Sequence, residues 1–196
     1  MRPLIYTNHA YTLLFLSLFL AWCASELLGP GRWHGSGDVQ SRDQGSLLTM
    51  AISTGLGVVL FFLFPLVVPA TTISWGQPLL FFLGAGLIGA GSGLRWYAIR
   101  TLGRFFTGSV VIQADQEIVQ RGPYTCIRHP SYAGILIVVC GLGLMMTNWA
   151  SLLAIVLGLL IGLLYRIKIE EEALQQTLPG YGEYMRHSYR LIPFIF

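Results

Sequence analysis

Two short stretches of this 196-residue chain concentrate groups that can do chemistry. Arg128-His129-Pro130 stands directly before a long apolar run, and Tyr165-Arg166-Ile-Lys-Ile-Glu170-Glu171-Glu172 follows its far end. Proline is favoured in the first helical turn, where its missing N–H has no helical partner. A helix start there also offers free N–H groups and a partial positive charge to an anion such as a carboxylate. Arg166 and Glu170 are four residues apart and share one helix face, as do Ile167, Glu171 and Leu174. Taken singly, each stretch has a plain structural explanation. Arg128 can snorkel and His129 can cap a helix, while the acids can pair with Arg166 and Lys168. Together they say more. If the run between them folds back on itself, Arg128, His129, Arg166 and Glu170–Glu172 meet at one membrane face. A mixture of cations and carboxylates there suits a zwitterionic small molecule with a cationic centre, and ionisable groups at such a depth signal function.

The elements that must position these residues are membrane spans. Hydrophobic residues make up 54% of the chain and charged residues 11%, with a net charge of +3 and a mean hydropathy of +0.64. Soluble domains carry about 25% charged residues. The composition excludes a disordered chain, a soluble enzyme and a basic-patch nucleic-acid binder. Gln44–Leu94 and Pro130–Tyr165 contain no Asp, Glu, Lys or Arg. The first is too long for one crossing of about 20 residues and divides at Pro69–Pro78, giving spans Leu47–Val68 and Pro78–Leu94. The second, as a single helix, would reach about 54 Å against a hydrocarbon core of about 30 Å. It is therefore expected to form a hairpin with arms Ser131–Met146 and Ala150–Tyr165, both short for a span. Thr147-Asn148-Trp149 is its tip, meeting water with polar atoms and the headgroups with an indole. Tyr11–Leu28 is expected to be a retained first span rather than a cleaved signal, because its positive leader is Arg2 alone.

The expected fold class is thus an all-α integral membrane protein with five transmembrane helices, the last two a hairpin. A cytosolic pocket is expected between the 95–130 segment and the C-terminal helix, in a single unit over 1–196. With five spans, Arg32, Arg42, Arg95, Arg100, Arg104, Arg121, Arg128, Arg166, Lys168, Arg186 and Arg190 fall on one side and only Arg2 on the other. The positive-inside rule then puts the N-terminus outside and the C-terminus in the cytosol. Gly103 reads as a helix stop, Ser109–Ile112 and Glu117–Val119 as extended, and Gly122-Pro123 as a turn. The third span contains Gly84, Gly86, Gly89, Gly91 and Gly93, matching G-x-G-x-x-G as text, but a dinucleotide fingerprint needs a strand and a soluble βαβ unit. Close helix packing is the expected role, with Gly89/Gly93 and Gly158/Gly162 as GxxxG pairs, and a ligand-facing glycine is the alternative. Cys23, Cys126 and Cys140 have no metal-ligand spacing, so no metal is expected.

Gly122-Pro-Tyr-Thr-Cys-Ile-Arg-His-Pro-Ser-Tyr132-Ala-Gly134 resembles the GPYxxxRHPxYxG signature of the isoprenylcysteine carboxyl methyltransferase family. Arg166-Ile-x-x-Glu170-Glu171-x-x-Leu174 resembles its RIxxEExxL signature, which has relatives among the phospholipid N-methyltransferases. Leu102-Gly103-Arg-Phe-Phe-Thr107 is similar to its LGxxxT/S stretch, and Arg190-Leu-Ile-Pro193 to its RLxP ending. Four motifs in order cover about residues 95–193, while 1–94 match only in hydropathy.

The resemblance implies S-adenosylmethionine as methyl donor at the cytosolic face. It also implies a lipophilic or lipid acceptor that enters from the bilayer, and no nucleic-acid partner. It maps Tyr124, Arg128, His129 and Tyr132 to cofactor positions, with Gln116, Ile118 and Val119 on the stretch that lines the adenosine and Glu171 as a further cofactor contact. Arg166 and Glu170 fall nearest the reacting centre, as the catalytic pair. In Leu178-Pro179-Gly180-Tyr181-Gly-Glu-Tyr184 the chain is one residue shorter than the family pattern, on the acceptor side, so a carboxylate, thiol or amine acceptor all stay open. An NADPH-dependent sterol-reductase-like enzyme and a non-catalytic membrane protein are the alternatives.

Overall fold

The computed structural model describes residues 2–28, 40–41, 44–107, 111–112 and 115–193. In chain order these form α1 (Leu4–Thr7), α2 (His9–Leu28), β1 (Gln40–Ser41), α3 (Ser46–Val67), α4 (Gln77–Leu102), β2 (Val111–Ile112), α5 (Pro130–Met145), α6 (Trp149–Thr177) and α7 (Tyr181–His187). β1 and β2 pair antiparallel, Gln40 opposite Ile112 and Ser41 opposite Val111. The architecture is helical, as its apolar runs require. Arg32, Arg42, Ser109 and Ala114 lie outside the described residues, so the loop half of the charge partition rests on sequence.

Among the described residues, four helices are long and apolar enough to cross a membrane: α2, α3, α4 (extended to Phe105) and α6. α5 has 16 residues, about 24 Å of helix, and falls short of that measure. The helix that carries the expected third span, Pro78–Leu94, runs on two turns to Leu102 and ends at the expected stop. Its surplus carries Arg95 and Arg100 beyond the apolar part. It stops at Gly103, whose φ of +58° is open to glycine and strained for most residues, and Arg121 Nη2 donates to the Thr101 carbonyl there. α6 likewise spans 29 residues, about 44 Å, so its last third projects past a 30 Å hydrocarbon layer. Leu13, Leu20, Ile52, Leu56, Leu79, Leu153 and Leu157 stay exposed, as lipid-facing side chains do.

The glycines explain which helices meet. α4 packs along α5, and α3 along α6. Gly84 faces Gly141, and Gly91 faces Gly134, in an antiparallel arrangement with seven residues between contacts on each helix. A Cβ on Gly91 would lie 2.6 Å from the Gly134 carbonyl oxygen, and one on Gly134 would lie 2.7 Å from that of Gly91. Backbone touches backbone, which only hydrogen at Cα permits. The expected Gly89/Gly93 pair is a correction: a Cβ at either meets nothing within 4 Å. The contact uses the two-turn repeat of the 84/91 face, and 89 and 93 lie off it. Gly158 and Gly162 are in contact as expected, Gly158 against Ser53 and Gly57, Gly162 against Met50 and Ser53 of α3.

The α5–α6 hairpin forms with its turn at Met146–Asn148. Its tip does not meet water as expected. Thr147 and Asn148 are fully buried beneath the 69–73 connection between α3 and α4. Ile73 N–H donates to the Thr147 carbonyl at 2.8 Å, Thr71 Oγ1 donates to Asn148 Oδ1 at 3.1 Å, and Asn148 Nδ2 donates to Thr72 Oγ1 at 3.4 Å. Asn148 also caps α6 by accepting from Ser151 N–H at 3.0 Å. In lipid, polar turn atoms need protein partners, and the neighbouring turn supplies them for the Thr147 carbonyl and the Asn148 amide. Trp149 is exposed, as an interfacial indole would be.

Candidate functional site

At the opposite end of the hairpin from this tip, a cavity open to solvent lies between the end of α4, the 116–132 segment, α6 and α7. Each wall has a local cause. The 3₁₀ turn Gly122–Thr125 begins with Pro123 near its start and drops Tyr124 into the interior, where Tyr184 Oη donates to its carbonyl at 2.6 Å. Pro130 opens α5, turning His129, Ser131 and Tyr132 towards the cavity. Gly180, at φ +86°, ends the link from α6 and starts α7, which presents Tyr181 and Tyr184. An exposed Arg104–Asp115 ion pair at 2.9 Å ties the 115–119 stretch to the end of α4.

Gln116, Ile118, Val119, Tyr124, Arg128, His129, Tyr132 and Glu170 all line this cavity. Arg166 and Glu171 do not line it. Arg166 is 3% exposed and lies behind Tyr132, its Nε donating to Tyr132 Oη at 2.9 Å. Tyr132 Oη in turn donates to Glu170 Oε2 at 2.8 Å. The two expected catalytic side chains are therefore joined through a phenol, with Glu170 at the cavity and Arg166 buried behind it. The His129 ring stacks on Tyr132, centroids 5.5 Å apart. As the residue preceding α5 it makes no side-chain cap bond; its Nε2 lies 3.2 Å from Glu171 Oε1 instead.

Glu171 is the buried counter-ion of the whole corner. Its carboxylate accepts from Arg128 Nε at 2.8 Å and from Arg190 Nη2 at 2.9 Å, besides meeting His129. Arg128 Nη1 donates to the Met185 carbonyl at 3.0 Å and also reaches the Ser188 carbonyl, so it closes the end of α7. The tail then runs beside the first motif: Arg128 N–H donates to the Tyr189 carbonyl and Tyr189 N–H to the Cys126 carbonyl, both at 2.8 Å. Glu172, the third acid, points away and pairs with Lys168 at 3.9 Å with both side chains exposed. Three consecutive acids thus have three environments, because successive helical residues are about 100° apart.

The phenols around the cavity stay protonated. Burial pushes Tyr184 up to about 12, and burial followed by the Glu170 charge pushes Tyr124 and Tyr181 higher still. They offer neutral rings and hydroxyls rather than charge.

Sequence reading missed one group entirely. Arg95 forms a fork with Glu26 of α2, Nε to Oε1 and Nη2 to Oε2 both at 2.5 Å, and Nη1 donates to Ser131 Oγ at 2.7 Å. The signal was present: Glu26 is the only acid in residues 1–28 and sits in an apolar span, where ionisable residues usually have a task.

Residues 84–176 match the model of the "Isoprenylcysteine carboxyl methyltransferase (ICMT) family", the family that the motifs of this stretch resemble. Among curated relatives, the "Probable protein-S-isoprenylcysteine O-methyltransferase" of Oryza sativa subsp. indica is 32% identical over 58% of this chain and 61% of its own length. "Protein-S-isoprenylcysteine O-methyltransferase B" of Arabidopsis thaliana is 35% identical over 57% and 58%. The "Cobalt-zinc-cadmium resistance protein CzcN" of Cupriavidus metallidurans is 32% identical over 61% and 52%. The chain thus spans about three fifths or less of the curated relatives it matches.

Proposed function

We propose that this protein is a multi-pass membrane methyltransferase that uses S-adenosylmethionine and modifies a lipophilic acceptor at a carboxylate, thiol or amine. One observation carries the reading: the Arg166–Tyr132–Glu170 chain of hydrogen bonds brings a carboxylate to a cavity at the ends of apolar helices. The residues fit the donor. Glu170 supplies a negative partner for a sulfonium, and Phe105, Phe106, Tyr124, Tyr181 and Tyr184 supply ring surface for a purine. When bound, S-adenosylmethionine supplies an electrophilic methyl whose transfer discharges its positive charge.

The protein's work is then mainly to position two partners and keep out water. Tyr132 holds Glu170 towards the cavity, and buried Arg166 holds Tyr132. For a thiol or amine acceptor, Glu170 is the group able to take the proton. For a carboxylate acceptor, Arg166 is the orienting cation, reached through a shift of Tyr132. The lipid-facing leucines of α2, α3, α4 and α6 support an acceptor drawn from the bilayer. We read α5 as a fifth, shallow crossing whose neighbours complete the span, with the cavity and C-terminus cytosolic. The charge partition supports this orientation.

The test is transfer of labelled methyl groups from S-adenosylmethionine into a total lipid extract by the detergent-purified chain, with NADPH binding measured in parallel. Label in an extractable lipid product is expected. NADPH binding without S-adenosylmethionine binding overturns the proposal. A C-terminal reporter active only outside the cytosol overturns the orientation.

A further inference from the structure

The Glu26–Arg95–Ser131 chain joins α2, which lies outside the family-matched 84–176 segment, to the cavity wall. Both Nε and Nη2 of Arg95 are committed to the Glu26 fork, which fixes the guanidinium plane. Only Nη1 is left to face Ser131, in the first turn of α5 and in the lining of the cavity. Ser131 is 5% exposed, and its oxygen already accepts from a cation. Among the described residues its hydroxyl hydrogen has no acceptor. A hydroxyl whose lone pair is taken by a guanidinium and whose proton is unused is a polarised donor, and Ser131 is among the residues that line the cavity.

We propose that Glu26 and Arg95 are positioning residues that set the Ser131 hydroxyl as a hydrogen-bond donor to the carboxylate of bound S-adenosylmethionine. A zwitterion then lies with its sulfonium towards Glu170 and its carboxylate towards Ser131. The first spanning helix thereby takes part in the site and is more than a membrane anchor. The inference rests on the methyl-donor reading above.

The test is a double-mutant cycle read as S-adenosylmethionine affinity by calorimetry on the full chain in detergent, with melting temperature alongside. Ser131→Ala is expected to weaken binding about threefold to tenfold with melting unchanged, the value of one hydrogen bond. Glu26→Gln, and Glu26→Asp, which keeps the charge but shortens the fork, are each expected to weaken it similarly. In the Ser131→Ala background either change should add nothing, because all act through one contact. A purely structural Glu26 would instead lower melting and leave affinity alone, or add its full effect on top of Ser131→Ala; either result overturns the inference. A wild-type chain that binds no S-adenosylmethionine overturns the functional reading first, and this one with it.

Discussion

Replacing Glu170, Glu171 and Glu172 one at a time by Gln tests the three environments directly, and the largest stability effect belongs to Glu171. Its carboxylate side chain is 5% exposed and holds Arg128, Arg190 and His129 at 2.8, 2.9 and 3.2 Å. Gln keeps the volume but offers one acceptor oxygen, so its amide must turn a donor towards one of the cations. Arg128, 8% exposed, keeps its carbonyl contacts but loses its counter-charge. Breaking a buried pair in this way costs about 3–5 kcal/mol. For a chain of this size each kcal/mol shifts melting by about 2–4 °C, giving a drop of about 6–20 °C. Glu170 is 30% exposed, and Gln can still accept from Tyr132 Oη, so melting should move little. Turnover should nevertheless fall on the order of a hundredfold, the effect of disturbing a group at the reacting centre. Glu172→Gln removes only an exposed contact to Lys168 and should be mild in both assays. Thermal unfolding of the detergent-purified variants and methyl transfer into lipid extract separate the cases. If Glu171→Gln melts like Glu172→Gln, the counter-ion argument fails; if Glu170→Gln and Glu172→Gln transfer methyl alike, Glu170 is not at the reacting centre.

Removing the His129 ring by His129→Ala should weaken S-adenosylmethionine binding about tenfold, the loss of one hydrogen bond to a charged group, and unchanged affinity by calorimetry would make His129 a partner of Glu171 only. Arg166→Lys should lose nearly as much turnover as Arg166→Ala, because a point charge cannot replace a planar group whose Nε holds Tyr132 while its Nη1 reaches Ser46 Oγ; wild-type rates with lysine would refute this. Gly91→Ala drives a methyl into the Gly134 carbonyl and should destabilise by about 1–3 kcal/mol, while Gly89→Ala meets open space and should leave melting unchanged. Asn148→Ala removes the α6 cap and two links to the 69–73 turn, and should cost about 1–2 kcal/mol with the methyl-transfer rate per folded molecule retained.

Apolar length and local turn chemistry were legible in the chain, because both are properties of short, contiguous stretches. Uninterrupted apolar runs specify helices in lipid, where every backbone group must bond within its own segment. Proline at 130 and glycine at 103 act on their own φ angles, so a helix start near 130 and a stop at 103 were readable. The cavity's residues were legible through motif resemblance, and eight of the ten sequence-predicted site residues line it.

Tertiary structure decided the rest, since each remaining feature is a relation between distant residues. Which glycines touch depends on the rotation of α4 about its axis, which turns 84 and 91 inward and leaves 89 and 93 outside. The polar hairpin tip looked like a water-facing loop until the Thr71–Ile73 turn was laid over it. Glu170 and Glu171 are neighbours in sequence with the same chemistry. The helical step sends one to the cavity and the other into the embrace of Arg128 and Arg190, which the tail brings back from about twenty residues away. Glu26 carries no motif and lies about seventy residues from Arg95. Only the packing of α2 against α4 joined its charge to Arg95, because a carboxylate in an apolar layer must find a cation.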